Sequence, residues 1–295
     1  MSGNIKQEIA ESFKNGTTLT KLIYINLGVF LVVNLTLAIL GLFEINSSWF
    51  DALMLPASVG TLIRTPWSIL TYMFLHKSFI HIIFNILMLY WFGNLFLQYC
   101  SQHNLVGLYL IGGIAGGAAY IAAYNIFPKF DTQIYSSHLL GASAAIMAIT
   151  VATAVLAPDR KVKLFFVSQI SLKWLAIATV LISLLQVSAE NAGGEISHIG
   201  GAVAGFVFAK RFQSGKDITA WINKAINGLV NLFKRMSGKP HMKATRTSTW
   251  ESDAEYNFKK RQANDEIDRI LDKIKSSGYE SLNEDEKKRL FDKGK

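Results

Sequence analysis

Charge is what this chain lacks over long distances. No Asp, Glu, Lys or Arg occurs between residues 78 and 128, and none between 132 and 158, although the whole 295-residue chain is 17% charged. A soluble core does not tolerate such runs, because its surface needs charged side chains. Cysteine is almost missing. Cys100 stands alone, which excludes an intramolecular disulfide and a multi-cysteine metal site. It reads as a small packing residue near the inner end of the second apolar run. A cleavable leader is not evident either: the first twenty residues are polar and mixed in charge, and the apolar segment after them is too long for a signal h-region. Basic residues are not interleaved with aromatics on a soluble domain, so the net charge of +9 is no nucleic-acid footprint.

What is present is apolar surface, 51% of the residues. A helix needs about 20 such residues to cross the hydrocarbon. Six candidate spans follow: 22–43, 80–98, 105–126, 138–156, 172–187 and 196–209. The sixth is short and Gly-rich, as suits a helix packed inside a bundle. Lys and Arg in short loops orient the set. Lys6, Lys14 and Lys21, then Arg160, Lys161, Lys163 and Lys173, then Lys210, Arg211 and Lys216 share one side if there are six spans. Arg64, Lys77 and Lys129 on the other side are diluted by Glu44, Asp51, Asp131, Glu190 and Glu195. Both termini are therefore expected in the cytoplasm, and the basic balance is mostly a topology signal. The chain divides into a cytoplasmic N-terminal segment (1–20), a six-span core (21–212), an amphipathic interfacial helix (213–236) and a linker with a small helical cytoplasmic tail (237–295).

Polar side chains inside the spans are few and therefore informative, since they are costly there and usually point into the bundle. His81 and Asn85 are four residues apart, on one helix face, with His76 five residues earlier. Hydrogen bonding to neighbouring helices would account for this pair by itself. Ser143 lies among Gly141, Ala142, Ala144 and Ala145, small residues that let another backbone approach, in the first turns of the fourth span, where a helix N-terminus favours negative charge. A serine in a membrane helix also commonly bonds back to a carbonyl one turn earlier. His198 precedes Gly201 by one turn, and Gly201 and Gly205 form a Gly-x-x-x-Gly face beside Gly200, Ala202 and Ala204. A buried, satisfied histidine is the plain alternative for it. If the two small-residue faces meet, imidazole and hydroxyl come into hydrogen-bond range, which nucleophilic serine chemistry requires.

The set His76-x4-His81-x3-Asn85, Gly141-x-Ser143 and His198-x2-Gly201-x3-Gly205 closely resembles the rhomboid intramembrane serine proteases. Thr65-Pro66-Trp67, the run from Leu70 to His76, and Phe92-Gly93 match as well, so the resemblance covers about residues 20–212. It implies an all-α membrane protein, a six-transmembrane-helix bundle with a cytoplasmic amphipathic and helical C-terminal tail. It implies Ser143 as nucleophile, His198 as general base, and an oxyanion hole from the Ser143 amide and the side chains of His81 and Asn85. Gly141 would keep the backbone near Ser143 open. Glu190 and Glu195 read as solvated loop residues, which leaves a dyad without a carboxylate. Three positions depart from the family pattern. Ala144 replaces a glycine and is expected to narrow the space beside the scissile carbonyl. Met147 replaces an aromatic that packs on the imidazole, a role a polarizable thioether can fill loosely. Ser68 follows Trp67 where relatives often carry Arg. The segment 45–75, with Trp49, Phe50, Leu53, Met54 and Leu55, resembles the family's loop in the outer leaflet, and an aromatic interfacial belt would read the same way.

The expected substrates are single-pass or polytopic membrane proteins in the lipid bilayer. They would be cut near the outer face at helix-weakening residues with a small residue before the bond. No metal or organic cofactor is indicated. The N-terminus suits a bacterial plasma membrane, with the chain as a multi-pass integral protein. Beyond the core, Ile218, Trp221, Ile222, Ala225, Ile226, Leu229, Val230 and Phe233 recur at helical spacing, as for a helix lying on the cytoplasmic surface. After a linker at 237–252, Ile267, Ile270, Leu271 and Ile274 mark a second amphipathic helix ending near Gly278, and Ser281-x-x-Glu284 reads as a capping box for a third. The tail is either a marginal solvated appendage or a docking element for a cytoplasmic protein partner. Two rival functions remain in view. A catalytically weak or inactive relative that binds and escorts membrane proteins would lack Ser143 or His198, and this chain has both. A transporter would need charged residues deep in the spans or an internal repeat, and neither is evident.

Overall fold

The fold is that of a computed structural model, which describes residues 5–162, 169–187, 191–225, 228, 269–271 and 273–292. The chain forms two compact units, Met1–Lys239 and Pro240–Lys295.

The first unit opens with an amphipathic helix, α1 (Ile5–Asn15), followed by α2 (Thr18–Leu42). Thr17 starts α2, its hydroxyl accepting the Thr20 amide at 3.2 Å. Leu19, Leu22, Asn26 and Val33 of α2 are buried, while Leu31, Val32, Leu35, Ile39 and Leu42 are exposed. The same division recurs on α5 (Phe79–Phe96), which exposes Phe79, Ile80, Ile83 and Phe84, and on α8 (Leu172–Gln186), which exposes Trp174, Leu181, Ile182 and Leu185. A belt of bare apolar side chains this large marks a surface solvated by lipid. Among the described residues three helices, α2, α5 and α6 (Gln102–Ile126), are long and apolar enough to cross a membrane, and α7 (Ser143–Leu156) and α8 are shorter apolar helices. The last helix of the core, α9 (Ala192–Gln213), has 22 residues. It is longer than the expected 196–209 because the Gly193–Gly194 pair, which reads as loop, is helical.

Helix α7 forms the centre. All of its residues from Ala144 to Ala154 are buried, packed by α5, α6, α8 and α9. Glycine makes the closest approaches possible. A Cβ on Gly201 would collide with the Ala144 carbonyl, and one on Gly205 with the Ala148 carbonyl, so α9 lies directly on the α7 backbone. The expected small-residue face is thus an observed contact.

Between α2 and α5 the chain forms β1 (Leu55–Pro56), α3 (Val59–Arg64) and α4 (Ser68–Thr71). Strand β1 pairs antiparallel with β2 (His138–Leu139), and the Gly141 amide donates to the Tyr72 carbonyl at 2.9 Å. Residues 138–142, expected as the first turn of the fourth span, are therefore a short strand (His138–Leu139) and a turn through Gly141, and α7 begins at Ser143. The apolar run passes through this junction unbroken, so hydropathy carries no mark of it. Trp67 and Ile63 are exposed here, and the Trp67 indole donates to the Ala52 carbonyl at 2.8 Å, an apolar ring with a satisfied polar edge. After the C-terminal end of α7, β3 (Lys161–Val162) pairs with β4 (Ile170–Ser171), and Lys173 pairs with Asp159 at 2.6 Å.

After α9, Thr219 is fully buried beside Gly107 and accepts the Asn104 amide at 3.0 Å, and helix resumes at residues 220–225 with Ile222 buried and Trp221 exposed. Residues 226–227 and 229–236 of the expected interfacial helix, the linker and Ile267 lie outside the described residues. In the second unit a helix ends at Gly278, whose φ of 78° is the left-handed geometry a glycine terminator supplies. The next helix, Glu284–Asp292, is capped differently from the sequence expectation. Asn283, not Ser281, forms the box: the Glu286 amide donates to Asn283 Oδ1 at 2.8 Å, and the Asn283 amide to Glu286 Oε2 at 2.8 Å. The Ser281 hydroxyl instead donates to the Gly278 carbonyl at 2.7 Å. Lys273 also pairs with Glu286 at 2.9 Å and holds that carboxyl below its ordinary pKa. Asn283→Ala is expected to cost this helix about 1 kcal/mol, read as roughly fivefold faster amide exchange over 284–287. Ser281→Ala should leave that exchange unchanged.

Candidate active site

The polar residues singled out by sequence come from the first turns of α5, α7 and α9. Ser143 is the first residue of α7. No side chain caps this helix, since Ala142 is the capping residue. The amides of its first turn have no intrahelical acceptor, and they form a concentrated donor site at a helix N-terminus. Gly141, with φ of 129°, turns the chain into the helix. A Cβ there would sit 3.0 Å from the His81 ring and 3.7 Å from Ser143 Oγ, so only glycine fits both the backbone angle and the space.

Ser78 caps α5 by accepting the His81 amide at 3.2 Å, which sets the phase of the helix. His81 then stands edge-on to buried His76, ring centroids 5.2 Å apart. His76 Nδ1 lies 3.3 Å from the Phe74 carbonyl, which can only accept, so this nitrogen carries the proton. Asn85, one turn below His81, is buried, and its Nδ2 donates to the His81 carbonyl at 2.8 Å. That bond uses one of the two amide hydrogens and leaves the second for another acceptor.

Ser143, Asn85 and His198 all line one cavity of about 310 Å³. Its walls are otherwise mostly apolar, with Phe84, Met88, Ile146, Met147 and Ile182 among them. Met147 is thus in the same cavity as the imidazole. Ala144 is not. Its side chain is 1% exposed, and its Cβ faces Gly116 of α6. The expectation that this methyl narrows the space at the scissile carbonyl is corrected: helical rotation turns position 144 away from the cavity and into the α6–α7 contact. Gly201 and Gly205 seat α9 on α7, as described above.

His198 is bonded away from the serine. Its Nδ1 lies 3.2 Å from Glu195 Oε2 and 3.2 Å from Ser183 Oγ of α8. These are its hydrogen bonds among the described residues; none runs to Ser143. The histidine side chain is 19% exposed and that of Glu195 only 12%. The reading of Glu195 as a solvated loop residue is therefore overturned. Helix α9 starts at Ala192, and three residues of helix place Glu195 beside His198. Sequence reasoning missed both Glu195 and Ser183. The i, i+3 spacing was a usable signal for the first; nothing local marks the second, which reaches His198 from another helix.

Comparison with known families agrees with this geometry. The model of the Rhomboid domain matches residues 64–213, half of the chain, and spans every residue of the cavity named above. A second family model, a family of unknown function (DUF6576), matches residues 251–292. No curated protein matches the chain. With Ser143, His198, His81 and Asn85 gathered at one end of the helices and the matched segment covering them all, the chain belongs to the rhomboid family of intramembrane serine proteases.

Proposed function

We propose that this protein is an active intramembrane serine endopeptidase that cleaves transmembrane segments near the outer membrane face. Six spans, α2 and α5 to α9, carry it, with both termini in the cytoplasm of a bacterial inner membrane. The observation that supports the reading is the single cavity shared by Ser143, Asn85 and His198.

Depth is part of the argument. Helix α7 has 14 residues, about 21 Å at 1.5 Å per residue, against a hydrocarbon thickness of about 30 Å. Ser143, at its outer end, therefore sits below the membrane surface, and water reaches it from the outer side through the cavity. A substrate helix has to unwind locally, because its peptide groups are closed by their own hydrogen bonds. The chemistry then runs in two halves. His198 Nε2 takes the hydroxyl proton as Ser143 Oγ bonds to the scissile carbonyl carbon. The negative oxygen is met by the Ser143 amide, the free hydrogen of Asn85 Nδ2 and the His81 ring. His198 returns the proton to the leaving amine as the C–N bond breaks, leaving an acyl-serine. Water, deprotonated by the same nitrogen, attacks the acyl carbon, and Ser143 regains its proton as it leaves.

Asn85→Ala is expected to lower kcat by about 10²–10³ with little change in KM, because the lost donor acts on charge present only in the transition state. The reading as a whole is tested by incubating the purified protein in lipid vesicles with a transmembrane-segment substrate and weighing the products. A cut inside the outer third of the segment supports it. An intact substrate across several sequences, with the protein still bound to them, would favour a membrane-protein escort. For the tail we propose a docking role toward a cytoplasmic protein partner; deletion of 240–295 should leave cleavage of a detergent-solubilised substrate intact.

A further inference from the structure

The carboxylate beside the catalytic imidazole has no part in a serine–histidine dyad. Glu195 sits three residues before His198 on α9, with Oε2 3.2 Å from Nδ1. Ser183 reaches the same nitrogen at 3.2 Å from α8 and is itself buried. A carboxylate can only accept, so the proton of a neutral His198 ring belongs on Nδ1. That leaves Nε2 with a free lone pair. Without a partner, neutral imidazole divides between two tautomers, and one of them has no lone pair at Nε2.

From this geometry, and resting on the proteolytic reading above, we infer that Glu195 is a positioning residue that converts the dyad into a triad, Ser143–His198–Glu195, with Ser183 steadying the imidazole. Glu195 fixes the tautomer and the ring plane of His198 and balances the positive charge the ring acquires when it takes the Ser143 proton. No proton moves to Glu195. Placement inside the low-dielectric helix bundle strengthens that balance relative to water.

The test compares wild type with Glu195→Gln, Glu195→Ala, Glu195→Asp and Ser183→Ala, with Ser143→Ala as the null. In a serine protease with a fully buried triad carboxylate, loss of its charge costs about 10⁴ in kcat. For Glu195, with a partly exposed side chain, about 10- to 100-fold is expected for Gln and Ala, with KM within about threefold and thermal unfolding unchanged. Asp should recover part of the loss, and Ser183→Ala should cost less than Glu195→Ala. Gln and Ala variants within threefold of wild-type kcat would overturn the triad, as would a loss matched by a fall in unfolding temperature. If wild type and Ser143→Ala cleave equally, the proteolytic reading fails instead. A second measurement then still decides on Glu195. In ¹⁵N spectra of histidine-labelled protein at alkaline pH, the His198 signal (identified by its loss in His198→Ala) should show Nδ1–H alone in wild type and a tautomer mixture in Glu195→Ala. The same mixture in both would contradict the inference.

Discussion

Ser143→Ala is expected to lower kcat by about 10⁶, to the limit of detection in a cleavage assay, and His198→Ala by a similar factor. The double variant should be no worse than either single one. This non-additivity is the signature of groups that act as one unit: without the hydroxyl the base has nothing to activate, and without the base the hydroxyl is a poor nucleophile. Some rate above the uncatalysed reaction should remain, about 10³–10⁴-fold, because the Ser143 amide and Asn85 still meet the oxyanion when water attacks. Ser143→Ala should not change the unfolding temperature much. Ser143 lies at a cavity wall and makes no hydrogen bond to His198, so alanine removes chemistry without leaving a partner unsatisfied.

Gly201→Val is expected to abolish cleavage by another route. A Cβ at Gly201 would meet the Ala144 carbonyl, which is backbone and cannot rotate away. Overpacking a core usually costs about 1–3 kcal/mol when side chains can yield; here two helices must part. Position 201 is one turn from His198, and position 144 adjoins Ser143. Even a folded variant therefore carries its base and nucleophile out of register. A shift of about 1 Å in reacting groups costs about 10²-fold in rate. The expected result is a lower unfolding temperature together with at least that loss of kcat. Gly28→Ala is the control. A Cβ there meets nothing within 4 Å, and activity should stay within twofold while α2 gains from alanine's higher helix propensity, up to about 1 kcal/mol. Equal behaviour of the two variants would mean that the α7–α9 contact does not hold the site.

The helical core was legible because charge is so unevenly spread. Gaps such as 78–128 leave helix as the structure that satisfies its own backbone in lipid, and His81, Asn85, Ser143 and His198 stand out as polar exceptions within those gaps. The small-residue faces told which helices could touch. What stayed hidden depended on geometry rather than composition. The strand at 138–139 lies in the same run without Asp, Glu, Lys or Arg as the helix after it, so only pairing with Leu55 and Pro56 reveals the start of α7. Glu195 was hidden by two glycines that read as a loop yet continue a helix. The direction of the Ala144 methyl follows from helical phase, which could be fixed only once the first residue of α7 was known. In the tail, Ser281 was expected as the cap, and Asn283 takes that place through a reciprocal bond with Glu286.

The central claim is that Ser143 is a nucleophile made reactive by His198. Its most direct test is mass spectrometry of the protein in lipid after exposure to an alkyl fluorophosphonate, which phosphonylates activated serines. The account predicts one adduct, on the peptide containing Ser143, formed by wild type and by Asn85→Ala more slowly, and absent in His198→Ala. An adduct formed as fast in His198→Ala, or cleavage of substrate by a protein that carries the adduct at Ser143, would contradict it.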